Sequence, residues 1–390
     1  MNSYDPQAEI IAFTQALVRQ YSPPGQEAGA ARVVQEKLAE LGFEDVHADR
    51  LGSVIGYRHG AGEGPRVLVD AHMDVMAVYD PGAWSVDPYG GELRDGKIWG
   101  RGATDIKGGL VAAALAIAGL AEEDFSGTLI FSASVGEEKL EGVALREVVR
   151  EAGPDFALVI EPTESRLAAG QKGRAEFWIE VQGRPAHTSR PELGENAIYR
   201  AVDFLRQVRG IPPQLDELLG PGVTELIEII SSPYPGECMV PFGCRLRFDR
   251  RLVSGETRQS LMDEVRGALS GFDRWQAGFQ PDSFTTYTGV ELVNEQFYPG
   301  WSLPPGSPWL QKARLGMQAA ALDSSVIAVP YCTNAAFTAG EAGIPTLVFG
   351  PSTIRLAHIV DEYVEVDELL RYYWGLQGVL KSVLAPSGGH

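Results

Sequence analysis

Three short apolar runs decide most of what this chain can become. Residues 66–69 (RVLV), 128–132 (TLIFS) and 156–160 (FALVI) show almost no polar alternation, so each reads as a strand buried on both faces. Between them, residues 109–120 and 143–151 place apolar side chains at helical spacing. Strands alternating with helices form βαβ units, and the pattern predicts a mainly parallel sheet with helices on both faces. Two amphipathic helices come first. Ile10, Phe13, Leu17 and Val18 share one face, Val33, Val34, Leu38 and Leu41 share another, and Gly42 follows as a C-cap.

Near residue 174 the pattern changes. Residues 175–182 alternate like a half-buried strand, followed by a helix over 196–208 and strands at 225–230 and 245–248. A helix over 256–269 and a strand at 275–279 complete the series. This β-α-β-β-α-β order is the split, ferredoxin-like plan of an antiparallel sheet with two helices. Helix, strand and helix then resume at 308–322, 346–349 and 366–384. The expected fold class is α/β, with a main domain of residues 1–173 and 284–390 and an inserted α+β unit of residues 174–283. A chain of 390 residues accommodates two such units.

Composition narrows the partners. A formal charge of −19 repels phosphate backbones and anionic lipid heads, which argues against nucleic acid and membrane surfaces. The longest apolar run, residues 108–121, is rich in Ala and Gly and too short to span a bilayer. Cys238, Cys244 and Cys332 form no CxxC pair and fit a reducing compartment. The first residues carry acids where a signal peptide needs basic groups. The expectation is a soluble, cytoplasmic protein.

The residues that can do chemistry gather at strand ends, where ligands collect in an open parallel sheet. The first strand runs into His72-Met73-Asp74. Positions i and i+2 point the same way, so Asp74 is placed to accept a hydrogen bond from the His72 ring and fix its tautomer. Asp105 stands in GRGATDIKGG just before a helix, where an Asp also serves as an ordinary N-cap. The next strands end in Gly136-Glu137-Glu138 and Glu161-Pro162-Thr163, and the strand at 346 leads to His358. Two imidazoles with several carboxylates suit zinc, and also manganese or cobalt.

In this order, VDAHMDV, GRGATDIKGG, VGEE, IEPT, GRPAHTSRPELGENAI and GPSTIRLAH resemble the di-zinc aminoacylase, glutamate carboxypeptidase, acetylornithine deacetylase and succinyl-diaminopimelate desuccinylase superfamily. The resemblance covers essentially the whole chain. It implies two zinc ions, one held by His72, Asp105 and Glu161, the other by Asp105, Glu138 and His358. It makes Glu137 the general base, Asp74 the partner of His72, and Asp105-Ile106 a cis peptide. A water activated by both metals would attack an amide carbonyl while Glu137 carries its proton to the leaving nitrogen. The inserted unit becomes a lid through which two copies dimerise, with His187 reaching across to the developing oxyanion. Asp249-Arg250-Arg251 is similar to a D-x-R motif whose Arg, here Arg251, binds a substrate carboxylate; a salt bridge at a strand end is the equal alternative.

A narrower resemblance, carried by SSPYPGECMVPFGCRLRFDRRLVSGET, VNEQFYPGW and Cys332-Thr333-Asn334, is to hydrolases associated with selenium metabolism. Two positions depart from the wider superfamily. Ile359-Val360-Asp361-Glu362 follows His358 where relatives have His-Thr before the acid, and Asn334 stands where many have Asp. Asn334 is accordingly grouped with Arg251 as a substrate contact. The expected activity is hydrolysis of a linear amide, as a dipeptidase or exopeptidase or as an N-acyl-amino-acid deacylase. The alternatives are a carbamoyl-amino-acid amidohydrolase and a non-catalytic metal- or carboxylate-binding protein.

Overall fold

The computed structural model describes residues 5–385. Helices α1 (Pro6–Val18) and α2 (Ala28–Glu40) lead into strands β1 (Glu44–Ala48), β2 (Val54–His59) and β3 (Arg66–His72). Helix α3 (Gly108–Ala118) separates these from β4 (Thr128–Ser134), and α4 (Leu145–Ala152) separates β4 from β5 (Phe156–Val159), which is followed by β6 (Leu167–Gln171). The chain then builds a second sheet from β7 (Gly173–Gln182), α5 (Ala197–Arg209), β8 (Val223–Ser232), β9 (Gly243–Leu252), α6 (Arg258–Ala268) and β10 (Trp275–Phe279). It returns through β11 (Trp301–Ser302), α7 (Pro308–Ala319), β12 (Val326–Val329), β13 (Thr346–Val348) and α8 (Val366–Val383).

The first sheet has the order β1-β2-β4-β3-β5-β13-β6-β11, with β12 also paired to β6. Its centre, β4-β3-β5-β13, is parallel. The flanks are not: β1–β2, β2–β4, β13–β6 and β6–β11 run antiparallel. The sheet is therefore mixed, where the sequence pattern predicted a mainly parallel one. Connection length explains the difference. The link 49–53 permits only a hairpin, and the link 160–166 is too short for a crossover, which takes a dozen residues or more.

Alternation along the central strands sorts the core into two layers. Val67, Val69 and Ala71 of β3, with Leu129, Phe131 and Ala133 of β4, pack with α1, α2, α3, α7 and α8. Leu68 and Ile130 point the other way, onto Leu145 and Val148 of α4. Helices thus cover both faces. Helix α3 is buried along nearly its whole length, which is why its sequence shows almost no polar face.

The second sheet runs β8-β9-β7-β10, antiparallel throughout, in the β-α-β-β-α-β chain order. It owns a separate core, with Phe177, Ile179 and Phe248 set against Phe204 of α5 and Leu261 of α6. Beyond the predicted elements lie β1, β2, β6, β11 and β12 of the first sheet, a hairpin of strands Pro281–Thr285 and Glu291–Glu295, and a small sheet of Glu92–Arg94, Lys97–Trp99 and Tyr363–Glu365.

Candidate active site

Because β3, β4, β5 and β13 run in parallel, their carboxyl ends open onto one edge. His72 closes β3 and is buried. Its Nδ1 lies 2.9 Å from the main-chain carbonyl of Asp74, which leaves Nε2 facing Asp105 Oδ1 at 3.1 Å. Glu161 Oε1 stands 3.8 Å and Glu137 Oε2 4.0 Å from the same Nε2. The other Asp105 oxygen, Oδ2, is 3.1 Å from His358 Nε2, which also lies 3.1 Å from Glu138 Oε1. One aspartate therefore joins two groups of three donors, His72–Asp105–Glu161 and Asp105–Glu138–His358, each within 4.8 Å.

The carboxylate of Asp74 plays a different part from the one expected. It stands 3.7 Å from His72 Nδ1, beyond hydrogen-bond reach, because it accepts the amides of Glu137 at 3.1 Å and Glu138 at 2.9 Å. The ring tautomer is set by a carbonyl, and the Asp74 side chain fastens the Glu137–Glu138 turn. Gly136 begins that turn at φ 69°, and a Cβ there would fall 2.0 Å from the Phe284 ring. Only glycine fits both demands.

Asp105 lies on the turn 103–107, and the Asp105-Ile106 peptide is cis. A residue that the sequence reading noted only as the acid after His358 holds this turn. Buried Glu362 accepts the amides of Thr104 at 2.9 Å and Asp105 at 3.1 Å through Oε1, and Arg101 at 2.6 Å through Oε2. His358 itself has φ 63°, the left-handed region uncommon for a residue with a side chain.

Packing so many acids out of water has electrostatic consequences. Burial pushes the carboxyls of Glu137 and Glu161 well above the usual carboxylate range, their acidic neighbours adding to it while His72 opposes. Burial disfavours a charged His358 ring, yet Asp105 and Glu138 outweigh it and push the ring up to about 10. Asp105 moves the other way, held below the usual range by the two histidines despite its burial. Imidazole nitrogens and carboxylate oxygens converging in two triads fit a pair of divalent cations, whose charge would offset this crowding.

These groups open into a cavity of about 350 Å³. Asp105, Glu137, Glu138, Glu161 and His358 form one side; Glu141, Arg174, Arg251, Tyr331 and Cys332 are among its other lining residues. Arg251 is thus at the cavity, its Nε also 2.9 Å from Asp249 Oδ1. Asn334 is not, which corrects its assignment as a substrate contact. It is buried, donates to Asp70 Oδ2 and Ser134 Oγ at 2.9 Å each, and accepts the Gly142 amide at 2.7 Å. No polar atom of its side chain is left for a ligand. His187 is exposed on the second sheet's unit, its Nδ1 2.8 Å from Ser189 Oγ, and does not line the cavity of its own chain. Glu141, Arg174 and Tyr331 escaped the sequence reading. Glu141, four residues past Glu137 on one loop, carried a usable signal; Arg174 depends on strand register, which a sequence does not display.

A parallel-centred sheet with two histidine–carboxylate triads sharing an aspartate at its carboxyl edge defines a metal-dependent hydrolase. The family model described as peptidase family M20/M25/M40 matches residues 68–381, and the chain belongs to that family. The Escherichia coli (strain K12) protein YgeY is 32% identical over 370 residues, covering 92% of this chain and 90% of YgeY. A succinyl-diaminopimelate desuccinylase of Rhodospirillum centenum (strain ATCC 51521 / SW) is 27% identical over 398 residues, covering 96% of each. Among solved structures, a Staphylococcus aureus tripeptidase superposes with TM-score 0.75 at 19% identity, covering 97% of this chain and 99% of that one. The Bacillus subtilis protein YXEP, a dinuclear metal-binding peptidase, gives 0.68 at 14% identity, covering 97% and 98%. Among the described residues, no helix is long and apolar enough to cross a membrane.

Proposed function

We propose that the chain hydrolyses a linear amide, as a dipeptidase or exopeptidase or as an N-acyl-amino-acid deacylase, using two metal ions and Glu137 as general base. The observation that carries this reading is the pair of triads meeting at Asp105, with Glu137 beside them at the cavity. His72, Asp105 and Glu161 would hold one ion; Asp105, Glu138 and His358 would hold the other. Nitrogen and oxygen donors favour zinc, with cobalt or manganese as substitutes. Bound there, the ions would acidify a water and polarise the scissile carbonyl.

The chain's own residues supply the rest. Glu137 takes the proton from the attacking water and passes it to the leaving nitrogen. Asp74 keeps Glu137 and Glu138 in register by holding both amides. Arg251 binds a substrate carboxylate with the planar fork of its guanidinium.

The α+β unit acts in this reading as a lid and dimerisation domain. Strand β8 is an edge strand with Val223, Ile227, Ile229 and Ile230 exposed, and an apolar edge of this kind favours pairing with a second copy. His187 then serves the partner's site, as oxyanion donor. Three free cysteines suit a cytoplasmic setting. The test is a screen of the zinc-loaded protein against N-acyl amino acids and dipeptides, following release of free amino acid. Release from either class supports the reading; release from neither, with both metal sites filled, rejects it.

A further inference from the structure

Residues 215–221 of the second sheet's unit form a small hairpin, its strands Leu215–Asp216 and Gly220–Pro221 paired antiparallel. Leu218 and Leu219 at its turn reach Gly170 of β6, where a Cβ would stand 3.1 and 3.2 Å from their side chains. Lys172 Nζ fastens the second strand, donating to the Pro221 carbonyl at 2.6 Å. Between this hairpin, β6, β11 and α7 lies a cavity of about 510 Å³, within the range that takes small molecules. Among the described residues it shares no lining side chain with the cavity of the two triads. Leu218 lines it from the hairpin, and Leu303, Leu310 and Val326 line it from the first sheet's side. Three charged side chains line it as well, and among the described residues none of them is in an ion pair. Asp216 Oδ1 accepts the amides of Leu218 and Leu219 at 2.8 Å each. Glu217 has no hydrogen-bond partner among the described residues. Arg314 of α7 is engaged only through Nε, which donates to the Ser324 carbonyl at 3.2 Å, so both terminal nitrogens are unpaired. Opposite charges thus border one apolar cavity without meeting.

We infer that this cavity binds a free α-amino acid with an apolar side chain. Its carboxylate meets the Arg314 fork, its ammonium meets Glu217, and its side chain lies among Leu218, Leu303, Leu310 and Val326. A guanidinium with both terminal nitrogens free takes a carboxylate bidentately. The apolar side chain supplies surface that gains by leaving water. A zwitterion bridges the two unpaired charges, which a plain carboxylic acid or a plain amine does not. The hairpin belongs to one unit and the opposite wall to the other, so the occupant touches both. The inference goes beyond the amide-hydrolase reading and does not rest on it, although hydrolysis of the kind proposed above would release amino acids of this class.

The probes are leucine, leucinamide, which lacks the carboxylate, 4-methylpentanoate, which lacks the ammonium, and glycine, which lacks the side chain. Each is titrated calorimetrically into the full chain. Leucine should bind at least about tenfold tighter than each of the other three. Arg314→Gln should weaken leucine about tenfold and leave leucinamide unchanged. Glu217→Gln should weaken leucine to a similar degree and leave 4-methylpentanoate unchanged. Should either variant fail to fold by circular dichroism, the probe series on the unsubstituted protein decides alone. Equal affinity for leucine, leucinamide and 4-methylpentanoate would overturn the assignment, reducing the site to an apolar crevice. Leucine binding unchanged by Arg314→Gln but lost in Arg251→Gln would overturn it in favour of the catalytic cavity. No measurable heat with leucine would overturn it outright. Every reading is a binding heat, so the outcome is independent of turnover. A protein that shows these preferences yet hydrolyses no amide keeps this site and loses the hydrolase reading; one that hydrolyses amides without them does the reverse.

Discussion

Glu137 and Glu27 are both carboxyls kept from water, and they differ in what faces them. Glu137 sits beside the two triads, among acids that metal ions would offset. Glu137→Gln should retain the metal stoichiometry while turnover falls about 10²–10⁴-fold, read by metal analysis alongside a kinetic assay. Full activity in that variant would remove Glu137 from the mechanism. Glu27 is fully buried before α2; burial, aided by Asp74, pushes its carboxyl up to about 8 despite opposing backbone hydrogen bonds. Its folded pKa lies above the unfolded value of 4.5, so the unfolded state gives up its proton first. Stability should then fall as the pH rises between the two values. Glu27→Gln should flatten that dependence and raise the melting temperature more at pH 8 than at pH 5. At this scale the candidate ligands could be grouped from the sequence because His72 ends β3, Glu138 and Glu161 follow β4 and β5, and Asp105 precedes α3, whereas His358 lies well beyond β13. Asn334 was misread because its neighbours in space, Asp70, Ser134 and Gly142, are remote in sequence. Truncating it to Ala should cost about 1–3 kcal/mol of stability in a denaturant titration, since it strands buried partners.

Among the elements, the turn carrying Asp105 leans on a residue remote in sequence, Glu362. Its own main-chain bonds are few, Lys107 N–H to Gly102 O at 2.8 Å and the Gly108 N–H to Ala103 O, and Glu362 adds an acceptor for the Thr104 and Asp105 amides and the tie to Arg101. Glu362→Ala should weaken metal binding roughly 10–100-fold, measured by chelator competition, because outer partners fix the ligand's aim. Unchanged affinity would mean that the turn holds its shape alone. The longer helices were readable from periodicity and the central strands from their unbroken apolar runs. The three-residue strands at 92–94, 97–99 and 363–365 were not, since three residues cannot display a period. The antiparallel flanks of the main sheet were hidden for a related reason: they follow from link lengths rather than from strand composition. In the second sheet, the chain order of elements was visible while the register that pairs Arg174 with Arg251 was not.

For the whole molecule, the net charge of −19 is partly the site itself, and two divalent cations would bring it to −15. The exposed edge of β8 predicts a dimer. Ile227→Asp with Ile229→Asp should give a monomer by light scattering, and turnover should fall with it if His187 serves the neighbouring site. A fully active monomer would withdraw that role. In this mechanism the two triads hold metal ions that the reaction requires. Its most direct test strips the protein with chelator and titrates zinc back while following amide hydrolysis. Stripping should abolish turnover and zinc should restore it, saturating near two equivalents per chain; hydrolysis unchanged in the stripped protein would contradict a metal requirement.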